Sequence, residues 1–203
     1  MEERVEASTP NKRSRLLRLL LLGVFGFGFL VAALFLSTRF EHRYRPEVLN
    51  LLGRNPSVKW VGKQAPAMLL PELYTNKAIS LSSYRGKVVL IDFWASWCPD
   101  CLKSLPMIQR FHNDPKLRDK VKIISVNIKE RGKGVRQRIK TFMKRYHYDF
   151  PVLLGSMKTV KTFDIWHIPA LVVVTPQGKV YYSGAEYHDE KRLRSILLAA
   201  NRK

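Results

Sequence analysis

Short runs of apolar, mostly β-branched residues alternate with amphipathic stretches through the C-terminal part of the chain. Such runs are typical of buried strands, and three occur, at 88–93, 121–128 and 170–175. A turn signal at 176–179 predicts that the third run forms a hairpin with 180–182. Helices are predicted over 98–112, 135–146 and 190–200. Alternating strands and helices that end in a hairpin indicate an α/β domain with a mixed sheet, which we place at residues 60–203.

The N-terminal part has a different pattern. Residues 19–38 carry no charge and are rich in Leu, Phe, Val and Gly. As a helix this run is roughly 30 Å long, which is the thickness of the bilayer's hydrocarbon core, so it predicts a transmembrane helix. A cleavable signal peptide is the alternative. The length of the run and the lack of a small-x-small cleavage site after it favour an uncleaved signal anchor.

The flanks of this run set its expected orientation. A basic segment, 1–18, precedes it with four cations near its end (Lys12, Arg13, Arg15 and Arg18). Residues 39–59 read as a juxtamembrane linker, which begins with Arg39, Arg43 and Arg45, partly offset by Glu41. The positive-inside bias modestly favours a cytoplasmic N-terminus, which would place the folded domain on the outer side.

The chain is strongly basic, with a formal charge of +20 over 203 residues. Its 46% hydrophobic content excludes a disordered basic tail. Eight cations and one acid, Glu130, lie between positions 129 and 145. A nucleic-acid module is disfavoured, because the cations are spread over helices and loops and a membrane anchor is predicted. Two interpretations stay open: a surface for anionic lipids or acidic partners, and an ordinary solvated face.

Only two cysteines are present, Cys98 and Cys101, which excludes a disulfide scaffold and a Cys-rich zinc site. The five histidines show no ligand spacing, and we expect neither a metal nor a cofactor. The two cysteines follow a predicted strand and open a predicted helix, so they lie one turn apart on one face. They can close a disulfide or open to a dithiol. Half of a metal site, or two idle thiols, is the alternative.

The helix start gives the two sulfurs different properties. Free N–H groups and the helix dipole favour a thiolate at Cys98, while Cys101 is shielded behind it. Attack of Cys98 on a substrate disulfide would give a mixed disulfide, which Cys101 would then resolve.

Several motifs together resemble the thioredoxin superfamily, and in particular its membrane-anchored TlpA/ResA/DsbE-like branch. The segment Ile91–Cys98 is similar to the strand that leads into the thioredoxin active site. Pro106 falls where that family kinks its active-site helix, and Trp166–Ala170 is similar to its cis-proline loop. The flanks that match the narrower branch are 61–66, 81–89 and 150–154. The resemblance covers about residues 60–185 and implies a thioredoxin fold.

The resemblance also implies roles for individual residues. Asp92 would exchange a proton with Cys101; the alternative is an Asp that caps the strand end. Pro169, if cis, would lie opposite Cys98 and let the backbone of Ile168 pair with a substrate; the alternative is an ordinary proline before a strand. Trp97 would pack beside the dithiol, whereas Trp94 belongs to the core. The implied substrate-binding set is Trp97, Pro99, Asp100, Ile168 and Pro169.

Two positions depart from the family pattern. Pro99 and Asp100 stand between the cysteines, where thioredoxin has Gly-Pro. A carboxylate at Asp100 should oppose thiolate formation at Cys98 and stabilise the disulfide, so we expect a reductant rather than an oxidant. Ala170 replaces the Thr that commonly follows the cis-proline.

The resemblance therefore implies a thiol-disulfide oxidoreductase, single-pass in the bacterial inner membrane with its catalytic domain in the periplasm. Its expected task is to reduce disulfides in exported proteins, such as apocytochrome c, with electrons from a membrane thiol transporter of the DsbD/CcdA type. The alternatives are a disulfide isomerase or oxidase and a redox-inactive binding adaptor. A copper chaperone similar to the Sco proteins is disfavoured, because their motif is CxxxC.

Overall fold

The computed structural model describes residues 58–184 and 189–203, and its first β structure is a small hairpin. Strands β1 (Leu69–Pro71) and β2 (Ala78–Ser80) pair antiparallel. A short 3-10 helix (Val58–Trp60) precedes them, and a second one (Leu81–Tyr84) follows. Ser80 caps the second by accepting a hydrogen bond from the Ser82 N–H.

A five-stranded mixed sheet follows, with the order β5-β4-β3-β6-β7. Its strands are β3 (Val88–Trp94), β4 (Val121–Asn127), β5 (Val152–Leu154), β6 (Ala170–Val174) and β7 (Val180–Gly184). The central strand β3 runs parallel to β4 and antiparallel to β6. All seven residues of β3 are buried, because both faces of the sheet are covered. This explains why β3 reads as an almost continuous apolar run.

Within residues 58–184 and 189–203, four α-helices cover the sheet: α1 (Pro99–Asn113), α2 (Val135–Arg145), α3 (Met157–Phe163) and α4 (Glu190–Ala200). Side chains alternate along β3, so Leu90 and Trp94 join one core, which also contains apolar residues of α1, α2 and α4. Ile91 and Phe93 join the opposite core, which contains apolar residues of α3. The Phe93 and Phe163 ring centroids lie 5.4 Å apart in that second core.

The structure confirms the predicted α/β class and mixed sheet. The three apolar runs, the hairpin and the three predicted helices all appear within one or two residues of their expected bounds. The sequence pattern missed β1, β2, β5 and α3. The strands have three residues each, too few for a period to show, and α3 has only seven.

The predicted anchor at 19–38, the basic segment 1–18 and most of the linker lie outside the described residues. Among the described residues, no helix has the length and apolar character needed to cross a bilayer.

Substitution of two leucines in α4 tests how this helix packs against the sheet. Leu193 is fully buried and Leu198 is exposed, and α4 contacts β6 and β3. Replacing Leu193 with Ala should lower the free energy of unfolding by about 2–5 kcal/mol, because it leaves a cavity. Leu198→Ala is the control, with an expected change within about 0.5 kcal/mol. Urea denaturation measures both, and equal losses would show that α4 does not pack as described.

Candidate active site

The end of β3 and the start of α1 bring the two cysteines together. Cys98 is the N-cap residue of α1, and its Sγ accepts a hydrogen bond from the Cys101 N–H at 3.2 Å. Pro99 suits the first helical turn, because no helical partner exists there for the N–H that proline lacks. Cys98 and Cys101 are joined by a disulfide, and their Cα atoms are 5.2 Å apart. The predicted placement of both cysteines at a helix start is confirmed.

The two sulfurs differ in surroundings. Cys98 keeps 4% of its surface exposed and Cys101 none. Trp97, Pro99 and Asp100 are exposed around them. Cys101 faces the protein interior, where Ser104 Oγ donates a hydrogen bond to its carbonyl oxygen at 2.9 Å. A reactant therefore approaches Cys98 first.

The loop before β6 forms the opposite wall of the site. The Ile168–Pro169 peptide bond is cis. Cys98 Sγ lies 3.7 Å from the Ile168 carbonyl oxygen. Ala170, which follows Pro169, pairs with Phe93 near the end of β3. This pairing explains why a loop that is distant in the sequence reaches the cysteines. The cis peptide bond and the nearness of Ile168 to Cys98 agree with the expected loop, and the role of Pro169 stays a prediction.

Asp92 is completely buried within β3. By strand alternation it faces the same side as Leu90 and Trp94, whose core cluster contains both cysteines. Ser125 Oγ, on β4, donates a hydrogen bond to Asp92 Oδ2 at 3.1 Å. Asp92 Oδ1 has no hydrogen-bond partner among the described residues. The alternative of a cap at the strand end is not supported, because Asp92 lies inside the strand.

The burial of Asp92 changes its acidity. Desolvation raises the pKa of its carboxyl from 3.8 to about 7, and the Ser125 hydrogen bond acts in the opposite direction with a smaller effect. Asp92 is therefore a group that can hold or release a proton near neutral pH, on the core face that contains the cysteines.

Asp100 is an exposed residue in the first turn of α1. Lys103 Nζ donates a hydrogen bond to Asp100 Oδ1 at 2.8 Å, which makes an ion pair one turn along the helix. This ammonium group offsets part of the negative charge that Asp100 brings to the cysteines. The expected effect of Asp100 on Cys98 stays a prediction.

Sequence reasoning missed Glu130 as a site residue. Its carboxylate accepts hydrogen bonds from the Ser96 N–H at 2.6 Å, Ser96 Oγ at 3.0 Å and Asn127 Nδ2 at 3.0 Å. These bonds fix the loop that precedes Cys98 to the end of β4. The signal in the sequence was that Glu130 is the lone acid within a run of cations.

Lys129, beside Glu130, links the two tryptophans that border the site. Its carbonyl oxygen accepts a hydrogen bond from Trp97 Nε1 at 3.0 Å, and its Nζ donates to the Trp166 carbonyl oxygen at 2.7 Å. Lys129 has a φ of 57°, a left-handed conformation that is uncommon outside glycine. Nothing in its type or spacing indicated this bridging position.

Nothing in the described part of the chain resembles a metal site. No group of three or more His, Cys, Asp or Glu side chains occurs there that could hold an ion. The chemistry that this arrangement offers is thiol–disulfide exchange between two adjacent sulfurs.

Comparison with known proteins gives a consistent family. Residues 61–183 match the model of the AhpC/TSA family. The chain is 32% identical over 122 residues to thiol-disulfide oxidoreductase ResA of Bacillus thuringiensis, a match that covers 59% of this chain and 66% of that protein. It is 33% identical over 120 residues to ResA of Bacillus subtilis, covering 59% and 64%. The match thus spans slightly less than two thirds of these relatives.

A solved structure agrees with this result. The crystal structure of StoA from Bacillus subtilis superposes with a TM-score of 0.53 at 26% identity, covering 64% of this chain and 95% of that one. The expected thioredoxin-like fold and the resemblance to ResA-type proteins are confirmed.

The raised pKa of Asp92 predicts a specific dependence of stability on pH. Between pH 4 and pH 7 the folded state binds a proton at Asp92 that the unfolded state has released. The free energy of unfolding of the oxidised protein should therefore fall as pH rises through this range, by on the order of 4 kcal/mol from this residue. Asp92→Asn should remove the contribution of this residue to the decrease. The free energy of unfolding of the variant should therefore increase relative to that of the parent as pH increases.

Urea denaturation of both oxidised proteins at several pH values measures this difference. Both proteins are kept in the disulfide form, because disulfide-bonded cysteines do not titrate. Parallel pH profiles would show that Asp92 is already ionised at pH 4 and that its pKa is not raised.

Proposed function

The chain belongs to the AhpC/TSA family, and from this premise we propose that it is a thiol-disulfide oxidoreductase of the ResA and DsbE type. The observation that carries the proposal is the Cys98–Cys101 disulfide at the N-terminus of α1, with a buried acid on the same core face. A disulfide this close to the surface at a helix start suits exchange better than structural support.

The first step uses the dithiol form. The Cys98 thiolate attacks one sulfur of a substrate disulfide, forms a mixed disulfide with it and releases the other substrate sulfur as a thiolate. The Cys101 N–H, which donates to Cys98 Sγ, and the helix dipole both stabilise the attacking thiolate. The exposure of Cys98, small but greater than that of Cys101, supports its assignment as the nucleophile.

The second step forms the Cys98–Cys101 disulfide. Cys101 loses its proton, attacks Cys98 Sγ and displaces the substrate's second thiolate, which leaves the protein oxidised and the substrate reduced by two electrons. Asp92 serves as the base for the Cys101 proton. A pKa of about 7 suits this role, because the carboxyl then takes and returns a proton at neutral pH.

The rim of the site binds the substrate. Within the described residues the Ile168 N–H has no backbone hydrogen-bond partner, so it is free to pair with an extended substrate segment next to Pro169. Trp97 supplies an exposed apolar surface, and Pro99 and Asp100 border Cys98 on the helix side. A segment that carries a disulfide would lie between these two walls.

The direction of the reaction follows from charge. Asp100 disfavours a thiolate at Cys98 relative to the disulfide, which makes the dithiol a better electron donor. Its ion pair with Lys103 reduces this effect without removing it, since both side chains are more than half exposed to solvent. The protein thus works as a reductant, and isomerase or oxidase activity is secondary.

The cellular setting of this activity is part of the proposal. The uncharged run at 19–38 anchors the chain in the bacterial inner membrane, with the catalytic domain in the periplasm. There the dithiol reduces disulfides of exported proteins, such as apocytochrome c. A membrane thiol transporter of the DsbD/CcdA type returns two electrons to the Cys98–Cys101 disulfide after each cycle.

Separate replacement of each cysteine tests the two roles. Cys98→Ser should abolish reduction of insulin by dithiothreitol-fed protein, because no nucleophile remains. Cys101→Ser should instead accumulate a mixed disulfide with the substrate, because the resolving thiol is absent. Turbidity from insulin precipitation and mass spectrometry of the trapped species measure these outcomes. Full insulin reduction by Cys98→Ser would contradict the mechanism, and an inactive wild-type chain would favour a redox-inactive adaptor.

A further inference from the structure

A basic loop, which we define as residues 129–134, borders the dithiol. The strands β3 and β4 are parallel neighbours, and Trp94 pairs with Asn127 at their ends. The cysteines follow the end of β3 and the basic loop follows the end of β4, so both lie at the same edge of the sheet. The hydrogen bond from Trp97 Nε1 to the Lys129 carbonyl oxygen joins them directly.

The basic loop has a fixed shape. Lys129, Gly132 and Gly134 all have left-handed backbone conformations, with φ of 57°, 77° and 70°. The Arg138 guanidinium, on α2, donates hydrogen bonds to the backbone carbonyl oxygens of Arg131 and Lys133. The loop is therefore held against α2, while the side chains of Arg131 and Lys133 are on exposed residues.

Most of the positive charge of this region is not balanced locally, although Glu72 interacts electrostatically with one of its cations, Arg136. Among the described residues, no carboxylate forms a salt bridge with any of the eight cations between positions 129 and 145. The one acid, Glu130, directs its carboxylate to Ser96 and Asn127. An uncompensated field of this kind attracts an acidic partner and steers its approach.

A cavity of about 620 Å³ lies beside the basic loop and is also lined by Trp97 and by residues 154–157. Its lining combines apolar side chains (Trp97, Val135, Leu154 and Met157) with the cations Lys129 and Arg131, the acid Glu130 and the polar residues Asn127 and Ser156. Trp97 and Met157 are each 52% exposed, which is unusual for such large apolar side chains. The cavity can thus receive an apolar side chain, with cations at its edge.

We propose that the basic loop docks partner polypeptides in which the reactive cysteine is flanked by a bulky apolar residue and by carboxylates. The apolar residue occupies the cavity beside Trp97, and the carboxylates pair with Arg131 and Lys133. This inference rests on the proposed oxidoreductase function and names the substrate class of the same site. A polypeptide fits better than an anionic membrane surface, because lipid bound at this loop would cover Cys98.

Two charge-reversed variants test the docking in the full-length chain, purified in a neutral detergent. Arg131→Glu/Lys133→Glu changes the basic loop. Arg118→Glu/Lys120→Glu is the control: it has the same charge change on exposed residues before β4, at the opposite edge of the sheet. The substrates are two disulfide-bonded peptides with a Phe beside one cysteine, identical except that three glutamates in one are glutamines in the other.

The readouts are the ratio of kcat/KM for the acidic over the neutral peptide, and the ratio of their affinities for the oxidised protein. We expect the wild type and the control to prefer the acidic peptide at least tenfold at low salt, with the preference declining as salt increases. The basic-loop variant should lose the preference.

Equal use of both peptides by the wild type, or a preference that survives in the basic-loop variant, would overturn the proposal. Loss of binding to phosphatidylglycerol vesicles in the basic-loop variant, with no peptide preference in the wild type, would assign the loop to lipid instead. If neither peptide is reduced, the oxidoreductase function fails; the affinities of the oxidised protein still decide whether the loop docks acidic segments.

Discussion

Burial of the Asp92 carboxyl in the central strand is the constraint on which the rest of the site depends. A carboxyl at this depth is costly when ionised, and the hydrogen bond that it accepts from Ser125 compensates only part of that cost. The fold tolerates it because the apolar residues of β3, its neighbouring strands and the covering helices stabilise the sheet around it. Stability is thus lower than a wholly apolar strand would give, and in the proposed mechanism the same burial provides a proton acceptor near neutral pH.

The other segments of the site lie near Asp92, at one edge of the sheet. The ends of β3 and β4 supply the cysteines and the basic loop, and the start of β6 supplies the cis-proline loop. Lys129 and Glu130 connect these three segments through hydrogen bonds to Trp97, the Trp166 carbonyl and Ser96. Each of these bonds joins a side chain to a backbone group, so the geometry depends both on the loop conformation and on the side chains of Trp97, Lys129 and Glu130.

The parts of the fold and the site that could be predicted from the sequence are those with a sufficiently long local pattern. The apolar run at 88–93 and the Cys-Pro-Asp-Cys motif predicted the core strand, the helix start and the disulfide pair. The resemblance to thioredoxin-like proteins pointed to Asp92 and Pro169, which spacing alone could not do, since Pro169 is far from Cys98 in the chain. The roles that it implies for these two residues stay predictions. The bridging role of Lys129 and the inward carboxylate of Glu130 depend on left-handed loop geometry and on contacts between distant segments. No local pattern indicates such contacts, and a run of cations reads first as a solvated surface.

The direction of electron flow through the Cys98–Cys101 pair can be measured as the midpoint reduction potential of the full-length chain. The chain is equilibrated in thiol/disulfide buffers and tryptophan fluorescence is the readout, since Trp97 adjoins the pair. If the pair donates electrons to substrate disulfides, the value should be near or below roughly −250 mV, at the thioredoxin end of the scale. A value above roughly −180 mV, in the range of isomerases and strong oxidants, would contradict the effect assigned to Asp100 and would make oxidation or isomerisation of disulfides the leading activity.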